Sequence, residues 1–263
     1  MARTSVRKVA QPPPSLPLTA ELLGLRTSMP LGRRLVLLLT LSSMISLLYL
    51  AFVWAPSVAN FDSKIAQRIF YFHVPAALVA YLAFGITFAA SLAYLARRSP
   101  AADLVAGASA EIGVVFGTIA VVTGPLWAKE EWSVYWRWED TKLTLTFVLW
   151  LFYLAYLALR TGVRVQEDEA RLSAVMGVLG FALVPLSYSA NLFWPSLHPR
   201  PIANPSGGGL DGQVLLTLLL GIVTFTLLYV TFLLHRLDLR RLEILVEDLK
   251  DEVERGRWKA TAG

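Results

Sequence analysis

Six long apolar stretches dominate this sequence and limit the folds that the chain can adopt. They cover residues 35–54, 69–96, 104–126, 143–159, 172–194 and 214–234. A helix needs about 20 residues to cross the hydrocarbon core of a bilayer, and most of the stretches are long enough. Because lipid offers the backbone no hydrogen-bond partners, each stretch should be helical. The sequence therefore predicts an all-α integral membrane bundle of six transmembrane helices.

The composition agrees with a chain that is embedded in a lipid bilayer. Apolar residues make up 56% of the 263 residues, and the charged residues collect in the tails and short loops. The chain has no cysteine, which excludes disulfides, zinc–thiolate sites and iron–sulfur clusters. A net charge of +5 would suggest nucleic acid in a soluble protein, but basic loops are typical of membrane proteins. We therefore expect no nucleic-acid partner.

Lysines and arginines are unequally divided between the two sides of the predicted bundle. The side with both termini, termed the terminal side, has 18 of the 24, and the opposite loop side has six. The positive-inside rule then places the terminal side in the cytoplasm. The short loops alone do not decide the orientation, since they carry five of these residues on the terminal side and six on the loop side. Arg33 and Arg34, beside the first stretch, favour the cytoplasmic assignment.

The chain divides into three parts. Residues 1–34 are Pro-rich and basic and are predicted to form a largely disordered cytoplasmic leader, and residues 35–235 form the six-helix membrane domain. Residues 236–263 are predicted to be a cytoplasmic amphipathic helix and tail, because their leucines and valines recur near helical spacing among charged residues. This helix could lie on the membrane surface or dock on a partner subunit.

Two of the three histidines fall on the same predicted side of the membrane. His73, near the start of the second stretch, and His198, just after the fifth, lie on the loop side, and each has a proline close by. For any single histidine, and for His235 on the terminal side, an interfacial hydrogen bond is the simpler interpretation. Two neutral imidazoles are a minimal set for axial ligation of haem iron. They are too few for a typical zinc site unless carboxylates join them.

The most unusual segment is the external loop that connects the third and fourth stretches, residues 127–140, termed the Trp-rich loop. It holds half of the eight tryptophans of the chain: Trp127, Trp132, Trp136 and Trp138, together with Tyr135. An aromatic belt would instead scatter its tryptophans over several helix ends. Trp132, Tyr135 and Trp136 recur at helical spacing and are expected to share one face. A flat apolar platform of this kind suits a flat apolar ligand.

Charged residues accompany the aromatic ones. Lys129, Arg137 and Lys142 are candidates for pairing with ligand carboxylates such as propionates. Glu111 lies within the third apolar stretch, where an ionisable side chain costs about 2.5–3.5 kcal/mol on insertion scales. Two explanations for Glu111 stay open: a hydrogen bond to another helix, or a contact with a partner subunit.

Three motifs in this chain resemble those of a known family. The segment GPLWAKEEWSVYWRWED, residues 124–140, is similar to the tryptophan-rich signature of the haem-handling proteins, and specifically of their CcmC branch. FHVPAA, from residue 72, resembles the first external histidine motif of that family, and WPSLH, from residue 194, resembles the second. The three motifs occur in the family's order, and the resemblance covers residues 35–235 of the chain.

The resemblance implies a protein of system I cytochrome c maturation in the inner (cytoplasmic) membrane, with both termini in the cytoplasm. It implies that the protein is not an enzyme but binds haem b as cargo, with His73 and His198 as axial ligands. It further implies that the tryptophans of the loop present haem to the chaperone CcmE. The CcmA/CcmB transporter subunits and the small protein CcmD are the other implied partners.

The chain departs from the family pattern at a few positions. Ala128 and Ser133 stand where glycine is usual, Tyr135 replaces a tryptophan, and Glu139 and Asp140 stand where one aspartate is usual. Either acid could therefore fill the role of that aspartate.

Two other functions are alternatives for a membrane protein of this kind. A haem lyase that attaches haem to apocytochrome c normally has more spans and more membrane histidines, and a small-solute transporter would place polar residues along several spans.

Overall fold

A computed structural model describes residues 30–58, 61–162, 166–198 and 210–261 of the chain. These residues form seven helices and no strand, with α1 continuing into a π-helical turn at Leu50–Trp54. The helices are α1 (Leu31–Tyr49), α2 (Lys64–Arg97), α3 (Pro100–Trp132), α4 (Thr141–Gly162), α5 (Gln166–Phe181), α6 (Leu183–Phe193) and α7 (Gly212–Thr261). Six helical segments are long and apolar enough to cross a membrane, and α5 and α6 together make one of them. The prediction of an all-α bundle with six spans is confirmed.

Most of the helices extend beyond the apolar stretches, and two of these extensions affect the predicted division of the chain. Helix α1 begins at Leu31, so the last residues of the predicted leader are helical, and residues 1–29 lie outside the described part of the chain. Helix α7 is continuous from Gly212 to Thr261, so it contains both the sixth span and the predicted amphipathic segment.

Close packing of α2 against α3 forms the centre of the bundle. Small residues allow the two helices to approach: a Cβ added at Gly113 would lie 3.1 Å from the Cβ of Ala83. Beside this contact the ring of Phe84 stacks on Tyr153 of α4, with ring centroids 3.7 Å apart. The bundle therefore has a dense core between its middle helices, and the cavity described below lies towards the loop side.

Prolines shape the helices that line the loop-side half of the bundle. Pro185 has no N–H for the carbonyl four residues earlier, and the fifth span breaks at Ala182 into α5 and α6. Pro75 in α2 likewise leaves the Tyr71 carbonyl without its usual helical donor. Gly221 of α7 packs on this carbonyl, and a Cβ there would lie 2.9 Å from the carbonyl oxygen and 3.0 Å from the Pro75 ring.

Replacing Gly221 by alanine should therefore destabilise the protein, because neither the Tyr71 backbone nor the proline ring can move aside. Overpacking of this kind costs about 1–3 kcal/mol. The matched control is Gly32→Ala, since nothing lies within 4 Å of a Cβ at Gly32. Both changes add one methyl group to a helical glycine, so a lower thermal unfolding midpoint of Gly221→Ala than of Gly32→Ala, measured in detergent, reports the packing effect. Equal midpoints would contradict the close contact.

Ion pairs join the helices on the terminal side. Glu111 of α3 pairs with Arg236 of α7 and, at 2.6 Å, with Arg240. The structure therefore supports the first explanation for Glu111, a bond to another helix. Arg33 of α1 donates to Asp238 of α7 at 3.0 Å, which brings the start of α1 and the C-terminal part of α7 to the same side.

Candidate functional site

The Trp-rich loop is helical only in its first part. Helix α3 ends at Trp132 because Ser133 adopts a left-handed conformation, with φ of 61°, and donates its N–H to the Lys129 carbonyl. Residues 133–140 are irregular up to the start of α4. The prediction that Trp132, Tyr135 and Trp136 share one helical face is therefore wrong.

Two of the tryptophans pack on one of the site histidines. Trp127 and Trp132 meet edge to face with ring centroids 4.8 Å apart. Their rings lie 6.0 Å and 5.5 Å from the ring of His198. The fold thus brings the end of the fifth span against the Trp-rich loop, as a shared loop-side site requires.

The remaining aromatic residues of the loop form a second group. Trp136 and Trp138 pack on each other and on Phe147 of α4, with centroids 5.5–5.9 Å apart. Trp138 is 65% exposed and Tyr135 is 58% exposed. These two rings therefore face outward, while Trp136 faces inward.

A cavity of about 410 Å³ lies between the helices at the loop side. It is lined by both His73 and His198, by Trp127 and Trp136 of the loop, and by Lys142 of α4. Its other walls are mostly apolar, with leucines of α7 on one side and Tyr81 and Tyr188 on the other. A mostly apolar cavity with a few convergent polar groups is the usual form of a small-molecule site.

The orientation of His73 is set by a hydrogen bond that sequence reasoning missed. His73 Nδ1 lies 2.9 Å from the hydroxyl oxygen of Thr123 in α3. Thr123 donates its single hydroxyl proton to the Ile119 carbonyl at 2.7 Å, so it must accept from Nδ1–H. The lone pair of His73 is then on Nε2, the tautomer that a metal ligand needs. Gly124 gives the ring room, since a Cβ there would lie 3.3 Å from its Cε1.

The position of His198 depends on a buried acid. The Ser196 hydroxyl accepts from the His198 N–H at 3.1 Å and donates to Asp140 at 2.8 Å. The Leu197 N–H also donates to Asp140, at 2.9 Å. Asp140 therefore holds the segment that leads into His198.

The same carboxylate caps the N-terminus of helix α4. One oxygen of Asp140 accepts from the N–H groups of Lys142 and Leu143, at 3.0 Å and 3.3 Å, which is the pattern of an N-cap. Asp140 is only 4% exposed, whereas the neighbouring Glu139 is exposed. Of the two candidate acids, only Asp140 is bonded, within the described part of the chain, to the segment that leads into His198.

Burial keeps the His198 imidazole neutral. It lowers the pKa of His198 to about 3, with smaller contributions from His73 and Lys142. At neutral pH the ring is therefore unprotonated and able to coordinate a metal ion. Among the described residues no cluster of three or more His, Cys, Asp and Glu side chains could hold a metal ion, so carboxylates do not join the two histidines.

Three residues that line the cavity each have one buried polar atom without a hydrogen-bond partner within the described part of the chain. These atoms are Nε1 of Trp127, Nε1 of Trp136 and Nδ1 of His198. Buried donors without a partner are rare in folded proteins and call for an explanation. A ligand with acceptor atoms in this cavity would satisfy the two indole N–H groups.

The three candidate cations have different positions. Lys142 reaches the cavity, and its ammonium donates to the carbonyls of Tyr188 and Ser187 at 2.8 Å and 3.3 Å. Lys129 lies over the exposed Tyr135 ring, 5.4 Å from its centroid. Arg137 is exposed. Only Lys142 of the three lines the cavity.

The sequence is similar to known proteins over most of its length. The sequence profile of the family "Heme exporter protein C" matches residues 23–253. The chain is 36% identical to the Heme exporter protein C of Bradyrhizobium diazoefficiens over 187 residues, which cover 71% of this chain and 70% of that protein. It is 34% identical to the protein of the same name from Rhodobacter capsulatus over 213 residues, 78% of this chain and 84% of that protein. The chain therefore belongs to the heme exporter protein C family.

Proposed function

We propose that this protein binds haem as cargo in its loop-side cavity and delivers it for the assembly of c-type cytochromes. The observation that carries the proposal is that His73, in the second span, and His198, just after the fifth, line one mostly apolar cavity. Two imidazoles in one cavity can supply both axial ligands of a six-coordinate haem iron. The relatives are named for haem export, which supports haem as the cargo.

The chemistry of the cavity fits haem. A hydrogen bond from His73 to Thr123 leaves its Nε2 free for iron, and burial keeps His198 neutral. Apolar walls suit the porphyrin, while the indole N–H groups and Lys142 can meet its acidic edge. The chain has no cysteine, so haem cannot be attached covalently to one of its thiols. We therefore propose that the bound form is haem b.

The proposed orientation puts the loop side on the outer face of the inner membrane and both termini in the cytoplasm. It rests on the excess of Lys and Arg on the terminal side. In this orientation the protein receives haem at the outer surface, where c-type cytochromes are assembled. It acts as a binding and transfer factor and makes no covalent change to haem.

The proposed recipient of haem is the chaperone CcmE, with CcmA, CcmB and CcmD as further partners. The outward rings of Tyr135 and Trp138 offer an aromatic surface beside the cavity for such a recipient. Because Trp136 packs on Trp138 from the cavity side, a partner that binds this surface could alter the cavity wall. Transfer requires that at least one histidine leaves the iron.

The proposal is tested by loading the full-length protein with haem in detergent and recording its absorption spectrum. We expect the Soret and α bands of six-coordinate, low-spin haem, because two imidazoles are available. A spectrum of five-coordinate haem, or no binding above that of detergent micelles, would contradict the proposal.

Thr123→Val should weaken haem binding, because it removes the acceptor that fixes the His73 tautomer. Loss of an outer partner of a metal-ligating histidine typically costs about 10–100-fold in affinity. Thr123→Ser keeps the hydroxyl and should bind haem nearly as the wild type does. Haem titrations of the three proteins measure the effect, and equal affinities for the valine and serine variants would show that the hydrogen bond is unimportant.

A further inference from the structure

Two tryptophans of the Trp-rich loop line the cavity, and the indole N–H of each is buried without a hydrogen-bond partner among the described residues. Trp127 is 7% exposed, and its Nε1 is buried without a partner in the described part of the chain. The Nε1 of Trp136 is buried and unpartnered in the same way, and both residues line the cavity. An indole N–H can only donate, so each requires an acceptor atom.

A cation lies in the same cavity wall. The Lys142 ammonium contacts two backbone carbonyls but forms no salt bridge with a carboxylate among the described residues. The nearby carboxylate of Asp140 is engaged by Ser196, Leu197 and the start of α4. The positive charge of Lys142 is therefore left for a ligand.

We infer that the indole N–H groups of Trp127 and Trp136 and the ammonium of Lys142 form a carboxylate-binding subsite in the cavity. The inference rests on the proposed function, and its ligand groups are the propionates of haem. The indole N–H groups of the two tryptophans then favour ligands that carry carboxylates. This selectivity is separate from any stacking of the indole rings on the porphyrin. Charge-assisted bonds of this kind are stronger than neutral ones, so they can discriminate between acid and ester forms of the same ring.

The experiment compares iron protoporphyrin IX with its dimethyl ester, which keeps the ring and the iron but lacks the negative charges. Both are titrated into the full-length protein in detergent, and binding is followed by the Soret band. We expect the wild type to prefer the diacid by at least about tenfold, as the strength of hydrogen bonds to charged groups implies. Equal affinity for the two compounds would overturn the inference.

Substitutions then test the individual donors. Lys142→Met should reduce the preference for the diacid to within about threefold while ester binding changes little, and Lys142→Arg should restore it. Trp136→Phe should lower the preference several-fold, because its N–H is lost. The matched control is Lys129→Met, which removes a cation outside the cavity and should leave the preference unchanged.

The outcomes separate this inference from the proposed function. If neither compound binds the wild type, the haem-binding proposal itself fails. If both bind and the preference survives in Lys142→Met and Trp136→Phe, the subsite is wrongly assigned although haem is the cargo. Should Lys142→Met lose both compounds through misfolding, the preference of Trp136→Phe decides the assignment.

Discussion

A His73→Ala, His198→Ala double variant should lose the spectrum of six-coordinate haem and bind haem more than about 100-fold more weakly. Loss of a residue that hydrogen-bonds to a metal-ligating histidine already costs about 10–100-fold in metal affinity. Here both proposed ligands themselves are removed. Both side chains line the cavity, so their removal should leave the hydrophobic core in place and the bundle should still fold. Haem titration and the thermal unfolding midpoint, measured on the same preparation, separate lost binding from lost structure.

The single variants and a third histidine provide the controls. His73→Ala and His198→Ala should each retain one imidazole and give five-coordinate haem with intermediate affinity. His235→Ala should behave as the wild type, because its Nδ1 lies 2.7 Å from the Thr231 carbonyl in α7, towards the terminal side. Haem content at the wild-type level in the double variant would show that the iron has other ligands.

The fold was largely predictable because the bilayer imposes strict rules on a chain. Each apolar stretch had to be long enough to cross and had to be helical, so six spans could be read from the sequence. The break at Ala182 was less visible, since hydropathy does not register the missing N–H of Pro185. Alternating spans also put His73 and His198 on one side, and the structure brings both to one cavity.

The interior of the site was harder to predict, because it depends on contacts between distant segments. Helical spacing suggested a shared face for Trp132, Tyr135 and Trp136, but a left-handed Ser133 ends the helix between them. Nothing in the spacing of Thr123 indicated that it lies beside His73, 50 residues away. The hydroxyl of a threonine in a membrane span often donates to a backbone carbonyl of its own helix. A threonine at position 123 therefore did not indicate a contact with a histidine.

The choice between Glu139 and Asp140 also depends on contacts between distant segments and could not be made from the sequence. The two acids are adjacent and chemically alike, and their burial depends on where the fifth span ends relative to α4. In the structure Asp140 holds both the start of α4 and the segment before His198, while Glu139 is exposed. We therefore expect the loss of the Asp140 carboxylate, and not that of Glu139, to reduce haem affinity.

Asp140→Asn should reduce haem affinity about 10–100-fold, because bonds to charged groups contribute about 1.5–3 kcal/mol and each 1.4 kcal/mol is tenfold. An asparagine can keep one acceptor for the N–H groups of Lys142 and Leu143, but its amide nitrogen then faces the N–H of Leu197. Two donors in contact should release the segment that positions His198, while His73 keeps its bond to Thr123.

The spectrum distinguishes this specific effect from general misfolding. In Asp140→Asn we expect five-coordinate haem held by His73, with a lower affinity than in the wild type. Glu139→Gln removes a charge at the neighbouring exposed position and should leave both spectrum and affinity unchanged. Six-coordinate haem of wild-type affinity in Asp140→Asn would mean that His198 is positioned without the carboxylate. In that case the rings of Trp127 and Trp132, which pack on His198, would be sufficient to hold it.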